Sequence, residues 1–407
     1  MSRPIWLLLL PCIPSEFCLN TLRVAYGPPL TAALYNASKQ TALEARQVQI
    51  DIGVAYGQAS KFDFSSLQNL FALLYKLNCV ICTELKIDVE YDNDVDARFF
   101  LFEDTSASSA VSPVSNPLML TVNDLNSLAR CDRRWTRYCF VHSESGEGML
   151  RQFLRTRSDS RSENIPESQV ARLPGGLSIL RSDTASATAV EGEDRSATKH
   201  RSVAVGGTFD HLHAGHKLLL TMTALLGMSP EREANDGGSK LTVGITGDEL
   251  LKNKKYKEHL EGWHRRQESV KEFLTDYFQL TSSLHILAET KDPSVPESEG
   301  RLIVDRFQSG LEIRYAEIFD PFGPTITDIT ITALAISAET RAGGEAVNGK
   351  RREKGWPTLE VFEVGVLDSN DDAIEENAAS SAEGFQNKLS STEIRSRIHR
   401  KDQGLIR

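Results

Sequence analysis

Apolar and polar positions follow two different patterns, which alternate along the first 154 residues. Short apolar runs predict β-strands, and apolar positions three or four residues apart predict amphipathic helices. The predicted strands are IWLLLL, QVQIDIGVAYG, DARFFLFED and WTRYCFVH, and the predicted helices are SSLQNLFALLYKL and MLRQFLRT. The segment SESGEG, residues 143–148, is predicted to form the turn before the second helix. We therefore expect a small α/β N-terminal domain over residues 1–154, in which no motif indicates a particular chemistry.

The alternation of strands and helices resumes after residue 200. The predicted strands are SVAVGGT, KLTVGIT, LHILAE, EIRYAEIF, TALAIS and LEVFEVGVL, and the predicted helices are AGHKLLLTMTALLG, RRQESVKEFLTDYF and SSTEIRSRIHR. Strands that alternate with crossover helices are typical of a parallel sheet with right-handed connections. The pattern predicts a doubly wound, parallel, Rossmann-like sheet over residues 201–402.

Two segments show neither the strand pattern nor the helix pattern. Residues 155–200 are rich in Ser, Thr, Ala and charged residues and offer little to bury, so they are predicted to form a flexible linker. Residues 368–386 begin with the acidic run DSNDDAIEE, which predicts a disordered insertion between the last strand and the last helix.

The net charge and the length of the apolar runs indicate which classes of binding partner are not expected. The chain of 407 residues has 56 acidic and 46 basic side chains and a formal net charge of −10. We therefore expect no broad attraction to nucleic acid. No run approaches the roughly 18 apolar residues of a membrane-spanning helix, so no membrane partner is expected. An anion site on such a chain has to be built locally, from a few cations and backbone N–H groups.

The six cysteines all precede residue 140. Cys79 and Cys82 form a C-x-x-C inside an apolar helical pattern, without a second pair of metal ligands at zinc spacing. This context favours buried thiols over a redox or zinc site. The apolar run Ile5–Leu10 ends at a proline, which favours a buried first strand over a cleaved signal peptide. We expect a reduced cytoplasmic protein, with the nucleus as the alternative compartment.

Three of the nine histidines lie within SVAVGGTFDHLHAGHKLLL, residues 202–220, where a strand ends and a helix begins. Gly206 and Gly207 allow a tight turn and a close approach by a ligand. His213 and His216 fall on one side of the first helical turn, and Gly215 leaves the space between them open. The N–H groups and the dipole at a helix start favour a phosphate.

A metal site is the first alternative for this cluster, because H-x-H-x-x-H offers three imidazoles. The segment does not contain H-E-x-x-H, and this half of the chain has no cysteine, so a phosphate site is favoured. The second alternative is a group of surface histidines beside a loop.

The segment GGTFDHLHAGHK resembles the first signature of the H-x-G-H nucleotidyltransferases and, within them, of the eukaryotic, fungal-type pantetheine-phosphate adenylyltransferases. The resemblance covers roughly residues 200–402. Four further segments are similar to motifs of that family: LLKNKKYKEHLEGWHRRQESVKEFL, DPFGPTITD, ISAETRAGGEAVN and LSSTEIRSRI.

The resemblance implies a reaction and its partners. AMP passes from ATP to 4′-phosphopantetheine, giving dephospho-coenzyme A and pyrophosphate in coenzyme A biosynthesis. Mg²⁺ accompanies ATP, and no metal held by the protein is expected. The sequence contains no G-x-x-x-x-G-K-[ST], so a separate dephospho-coenzyme A kinase is expected as a further partner.

The resemblance also implies roles for individual residues. Thr208 would bind the acceptor phosphate, His216 would stabilise charge on the α-phosphate, and Lys252 or Lys254 would bind phosphate. The residues implied at the ATP site are Gly206, Gly207, Phe209, His213, Gly215, Ser390, Ser391 and Thr392. Those implied at the phosphopantetheine site are Thr208, Lys252, Arg341 and Asn348.

Several of these residues have a plainer explanation. The lysines also fit a solvated surface cluster, and S-S-T-E at residues 390–393 fits a helix cap without a ligand. Asp210 is expected to shape the loop rather than to act as a base. Arg266 matches a family arginine but equally fits a surface salt bridge.

Arg341 stands one position earlier than the family arginine before the paired glycines. Asn348, and Arg351 or Arg352 beyond it, are candidates to replace that family arginine.

The alternative functions are those of other H-x-G-H enzymes, namely a nicotinamide mononucleotide adenylyltransferase or a cytidylyltransferase. A third alternative is a catalytically weak scaffold that keeps the fold.

Overall fold

In a computed structural model, the chain forms two compact units, Met1–Thr198 and Lys199–Arg407. The residues that the structure describes are 3–14, 16–57, 62–87, 95–104, 124–161, 164–177, 200–227, 238–282, 286–291, 300–365 and 390–405. None of the described helices is long and apolar enough to cross a bilayer.

The first unit is built on a five-stranded parallel sheet with strand order β3-β2-β1-β4-β5. The buried apolar run of β1 makes it the central strand, and every residue of β2 is buried. Its elements are β1 (Ile5–Leu10), α1 (Leu19–Glu44), β2 (Val48–Tyr56), α2 (Phe64–Glu84), β3 (Val95–Glu103), α3 (Leu125–Arg130), β4 (Arg137–Val141), α4 (Glu144–Arg161) and β5 (Val170–Leu173). The four predicted strands and the two predicted helices are present, and Cys79 and Cys82 are buried in α2 as expected.

Two predictions for this unit are wrong. All of SESGEG except Ser143 lies inside the start of α4 rather than in a turn before it. A Cβ on Gly146 would lie 1.9 Å from the Val141 carbonyl oxygen, so glycine lets the helix begin directly against the end of β4. The predicted linker also starts too early, because the end of α4 and the strand β5 lie inside residues 155–200. Residues 178–199 of that linker lie outside the described residues.

The second unit contains a seven-stranded sheet with strand order β12-β11-β6-β7-β10-β9-β8. Its elements are β6 (Ser202–Gly207), α5 (Ala214–Gly227), β7 (Lys240–Thr246), α6 (Trp263–Ser282), β8 (Ile286–Lys291), β9 (Leu302–Phe307), β10 (Glu312–Ile318), β11 (Ala333–Ser337), α7 (Arg341–Glu353), β12 (Glu360–Val364) and α8 (Ser391–Asp402). The predicted acidic insertion, residues 368–386, lies outside the described residues.

The α/β fold class is confirmed, with one correction to the sheet of the second unit. Strand β9 was not predicted, and it pairs antiparallel with both β8 and β10, so the sheet is mixed rather than wholly parallel. Only residues 308–311 connect β9 to β10. A parallel pair needs a crossover of a dozen residues or more, so this short connection forms a hairpin instead.

The order of the parallel strands determines where a ligand can enter. From β6 the chain crosses through α5 to β7 on one side, and it later returns to β11 on the other side. In open α/β sheets, the crevice at the carboxyl ends of the strands where the winding reverses is the usual ligand site. The predicted phosphate loop begins at this end of β6.

Candidate active site

The loop after β6 starts with two glycines that have different surroundings. A Cβ on Gly206 would meet no atom within 4 Å, so this backbone faces open space. A Cβ on Gly207 would lie 3.0 Å from the Phe209 ring. Phe209 is fully buried, and its backbone adopts a positive φ of 52°. Phe209 therefore anchors the loop from below, while the backbone at Gly206 stays accessible.

The rings of His213 and His216 stack on one another at the start of α5. Their centroids are 3.8 Å apart and their planes differ by 24°. A Cβ on Gly215 would lie 3.2 Å from Cε1 of His213, so glycine gives this imidazole its room. The Nδ1 atoms of both rings are buried and have no hydrogen-bond partner within the described part of the chain. Both rings thus have a polar atom left for a ligand.

Burial keeps both imidazoles neutral. It lowers the pKa of His213 well below the usual value, and the nearby positive charge of Lys217 lowers it further. Burial, with a smaller effect of His211, lowers the pKa of His216 to about 3. A neutral imidazole has one N–H donor and one acceptor nitrogen. At neutral pH the pair therefore offers two hydrogen-bond donors without carrying a charge of its own.

Asp210 is fully buried and shapes the loop, as expected. One carboxylate oxygen forms an ion pair with Arg395 of α8, and the other accepts a hydrogen bond of 2.9 Å from the Glu261 N–H. His211 extends the same contact, since its own N–H donates to the Glu261 carboxylate over 2.7 Å. Its ring Nε2 lies 2.8 Å from the His259 carbonyl oxygen. Both residues hold the loop against residues 259–261.

Helix α8 begins beside this loop. The Ser391 hydroxyl donates to the Asp210 carbonyl over 2.9 Å, and Arg395 donates to the Lys255 carbonyl over 3.0 Å. Ser390 stands at the N-cap without a side-chain capping bond, and both Ser390 and Thr392 are exposed. The capping explanation for S-S-T-E thus lacks its hydrogen bond at Ser390. Ser391 joins α8 to the loop instead.

Arg266 is neither a surface salt bridge nor an open phosphate ligand. Its guanidinium is completely buried and donates to the carbonyl oxygens of Glu261, Thr208 and Thr246 over 2.7–2.9 Å, and to the Asp248 carboxylate over 2.7 Å. The residue holds together the carboxyl ends of β6 and β7. It therefore positions Thr208 without reaching into the crevice.

The two predicted lysines lie on the surface after β7. Lys252 and Lys254 are exposed and follow the short 3₁₀ turn Asp248–Leu251. Lys252 forms an ion pair with Glu249 one turn earlier. No contact of the described structure joins either lysine to the histidine pair, so their roles stay predictions.

The residues expected at the phosphopantetheine site on α7 have structural contacts. Arg341 is exposed and makes two hydrogen bonds with the Glu363 carboxylate at the end of β12. The Asn348 amide donates to the Leu359 carbonyl over 3.0 Å and accepts from the Leu359 N–H over 2.7 Å. Both ends of this amide are engaged, so Asn348 connects α7 to the start of β12, and its role at a phosphopantetheine site stays a prediction.

Arg351 is excluded as a replacement for the displaced arginine. It is buried and donates to five carbonyl oxygens: those of Thr325, Asp328, Ile329, Ile331 and Pro357. These bonds tie α7 to the loop before β11. The residue supports the fold.

Two residues of the site were missed by sequence reasoning, although both lie inside quoted motifs. Arg395 is the last letter of S-S-T-x-x-R, and it pairs with Asp210 from 185 positions further along the chain. Lys217 follows the second histidine and is buried beside His213. The motifs marked both positions, but a linear sequence does not show which charge meets which.

Comparison with known proteins matches parts of the chain rather than the whole of it. A family described as a domain of unknown function (DUF8446) matches residues 1–179. An uncharacterized protein of Schizosaccharomyces pombe is 38% identical over 164 residues, which are 40% of this chain and 39% of that protein.

Two further relatives carry the same name. A phosphopantetheine adenylyltransferase of Saccharomyces cerevisiae is 32% identical over 201 residues, which are 49% of this chain and 50% of that protein. Another, of Pyrobaculum aerophilum, is 27% identical over 202 residues, which are 50% of this chain and 94% of that protein.

The chain thus spans half or less of the length of the two relatives from yeasts. Over about half of its residues, it is related at 27–32% identity to proteins named as nucleotidyltransferases. The Rossmann-like α/β sheet of the second unit agrees with that relationship.

Proposed function

We propose that this protein is a phosphopantetheine adenylyltransferase, which transfers AMP from ATP to 4′-phosphopantetheine. The observation that carries the proposal is the stacked pair of neutral histidines at the carboxyl end of β6. Each ring has a buried Nδ1 atom without a partner among the described residues. Burial of a polar atom without a hydrogen bond is costly, and a phosphate oxygen in the crevice would satisfy Nδ1 by accepting a hydrogen bond from the tautomer that carries its proton there. The two named relatives supply the substrate class.

The reaction needs positioning and charge stabilisation more than an acid or a base. A phosphate oxygen of 4′-phosphopantetheine attacks the α-phosphorus of ATP in line. A new P–O bond forms, the bond from the α-phosphorus to the bridging oxygen breaks, and pyrophosphate leaves. The attacking oxygen is already ionised at neutral pH, so no base has to remove a proton. Asp210, whose carboxylate is occupied by Arg395, is not required for that task.

Different residues of the loop have different roles in this reaction. Thr208 binds the acceptor phosphate, and its backbone is held in place by the bond from Arg266 to its carbonyl oxygen. His216 donates a hydrogen bond to the α-phosphate as charge accumulates there, and His213 binds the ATP phosphates beside it. Preorganised donors of this kind are worth about 10²–10³ in kcat.

The glycines and the start of α8 complete the ATP site. The open backbone at Gly206 admits the nucleotide. The exposed Ser390 and Thr392 at the helix start bind the β- and γ-phosphates, together with backbone N–H groups. Ser391 contributes by positioning, because its hydroxyl is bonded to the loop.

Magnesium enters as part of the MgATP substrate. Mg²⁺ prefers an octahedral shell of oxygen ligands and usually keeps several waters. The described side chains beside the phosphate loop offer mainly imidazoles and hydroxyls, because the Asp210 carboxylate is engaged by Arg395 and the Asp248 carboxylate by Arg266. These donors fit a nucleotide-borne ion better than an ion held by the protein.

Pyrophosphate release by the purified full chain tests the proposal. We expect release with MgATP and 4′-phosphopantetheine, together with a product of the mass of dephospho-coenzyme A. His216→Gln should lower kcat about 100- to 1,000-fold, whereas the exposed His264→Gln should leave it unchanged.

Two results would contradict the proposal. Release with nicotinamide mononucleotide as acceptor, or with CTP as donor, in place of the proposed substrates would assign the site to one of the alternative enzymes. No release with any acceptor, from protein that still binds ATP, would favour the scaffold.

A separate kinase completes the proposal. The sequence has no P-loop motif for phosphorylating dephospho-coenzyme A. We therefore expect a dephospho-coenzyme A kinase to co-purify with the protein from native extract. Purification without kinase activity would contradict a physical association.

A further inference from the structure

Away from the crevice, three metal-ligating side chains converge where the end of α8 meets the 3₁₀ turn Lys257–His259. They are Glu258 and His259 from the turn and His399 from the last turn of α8. Oε1 of Glu258 lies 3.0 Å from Nδ1 of His399 and 3.8 Å from Nε2 of His259. The two nitrogens are 3.4 Å apart.

These distances match the edges of a metal coordination shell. Ligands about 2.0–2.1 Å from a tetrahedral zinc ion are separated by about 3.3 Å. A point equidistant from the three atoms lies about 2.0 Å from each of them, which is the usual length of a Zn–N or Zn–O bond. The three atoms are therefore close enough together to share one ion.

A fourth residue, Asp402, lies beside one of the three ligands without being a ligand itself. Oδ2 of Asp402, the last residue of α8, lies 3.6 Å from Nδ1 of His259, the nitrogen that points away from the other two ligands. In metal sites the second nitrogen of a ligating histidine usually faces a carboxylate, which fixes the ring and raises its basicity.

We propose that Glu258, His259 and His399 form a binding site for Zn²⁺ or a similar divalent transition-metal ion, with water in the fourth position. Two imidazoles and one carboxylate suit zinc and its neighbours rather than Mg²⁺ or Ca²⁺, which prefer oxygen ligands alone. Glu258 is half exposed, at 50% of its side chain, so an ion can enter from solvent.

The ion would fasten α8 to the turn at residues 257–259. The same turn supports the phosphate loop, because the His259 carbonyl oxygen accepts the bond from the His211 ring. The same helix carries Arg395, the partner of Asp210. The role of the ion is therefore structural, and the proposal does not depend on the adenylyltransferase activity.

Metal titration of the tag-free full chain, stripped with a chelator, tests the site. We expect one Zn²⁺ to bind per chain by calorimetry, and one Co²⁺ to bind with the strong visible absorption of a tetrahedral ion. Zn²⁺ should also raise the Tm of the wild-type protein. Loss of an outer partner costs about 10- to 100-fold in metal affinity, so Asp402→Asn should weaken binding about tenfold and His399→Gln or Glu258→Gln about 100-fold or more.

His264→Gln, which changes an exposed histidine outside the cluster, is the matched control and should bind Zn²⁺ like the wild type. Glu258 is half exposed, so Glu258→Gln keeps the test valid if His399→Gln does not fold. The proposal is overturned if the full chain binds neither ion. It is equally overturned if binding is unchanged in Glu258→Gln, or if His216→Gln removes it while Glu258→Gln does not.

Discussion

His213 is buried and His216 is half-buried, and both are neutral in a site that is predicted to bind an anion. Burial lowers their pKa values, so they contribute no positive charge before a ligand arrives. A neutral donor avoids the large cost of a buried charge without a partner, and it still donates a hydrogen bond to phosphate. Two such donors would allow an anion to bind locally, although the chain as a whole has a net charge of −10.

The low pKa values predict a dependence of stability on pH. Because the folded-state pKa of His216 lies near 3 and that of an unfolded histidine near 6.5, the unfolded chain binds more protons between these values. Stability is therefore complete above pH 6.5 and falls as the pH drops towards 3. We expect His216→Gln to remove about 1 kcal/mol per pH unit from that slope below pH 6, as measured by urea denaturation. An unchanged slope in this variant would show that the histidine is not buried in its neutral form.

A glycine substitution tests how closely His213 is held. A Cβ at position 215 would lie 3.2 Å from the ring, so Gly215→Ala should displace the imidazole by a few tenths of an ångström and weaken ATP binding severalfold. Gly349→Ala in α7 is the matched control, since a Cβ there meets no atom within 4 Å. It should stabilise the protein by about 0.5–1 kcal/mol and leave ATP binding unchanged. Equal ATP affinity in both variants would contradict the close packing at His213.

At the scale of elements, the buried ion pair of Asp210 and Arg395 joins the phosphate loop to α8. Both side chains are almost completely removed from solvent, with exposed fractions of 0% and 3%. Removal of one partner from such a pair leaves the other charge buried and unpaired. The start of α8 and its serines therefore depend on this contact for their position beside the loop.

Arg395→Met should destabilise the second unit by about 3–5 kcal/mol, because Asp210 loses its counter-charge. Arg400→Ala on the same helix removes a half-exposed pair with Glu393 and should cost less than about 1 kcal/mol. The double variant Asp210→Asn, Arg395→Met should lose less than the sum of the two single variants. Additive losses in chemical denaturation would show that the two residues do not interact.

The two long helices that pattern reasoning missed, α1 and α7, share a physical cause. Helix α1 contains Pro28 and Pro29, and α7 contains Gly343 and Gly344, residues that weaken a helical pattern. A Cβ on Gly344 would lie 3.2 Å from Ile336 and Val361, so glycine allows α7 to pack close to the sheet. Local propensity disfavours both helices, and packing against a sheet supplies the stability that the sequence pattern does not show.

At the scale of the whole chain, the sequence predicted two α/β parts, and the structure contains a sheet in each. The histidine pair was predictable because the residues that form it are neighbours in sequence. The ion pair of Asp210 with Arg395 and the metal-ligating cluster were not, because α8 meets residues 255–259 only in the folded chain. Contacts between distant segments depend on strand order, and pattern reasoning identified most of the strands without their order.

The phosphate-binding role of His213 and His216 is tested most directly by NMR of the full chain with ¹⁵N-labelled histidine. Without ligand, we expect both rings to stay neutral from pH 8 down to pH 5. MgATP should shift the ring nitrogens of both residues, because the phosphate binds there and its negative charge raises their pKa values. His264 should not respond. If MgATP binds while the signals of His213 and His216 stay unchanged, the phosphate lies elsewhere and the proposed site is wrong.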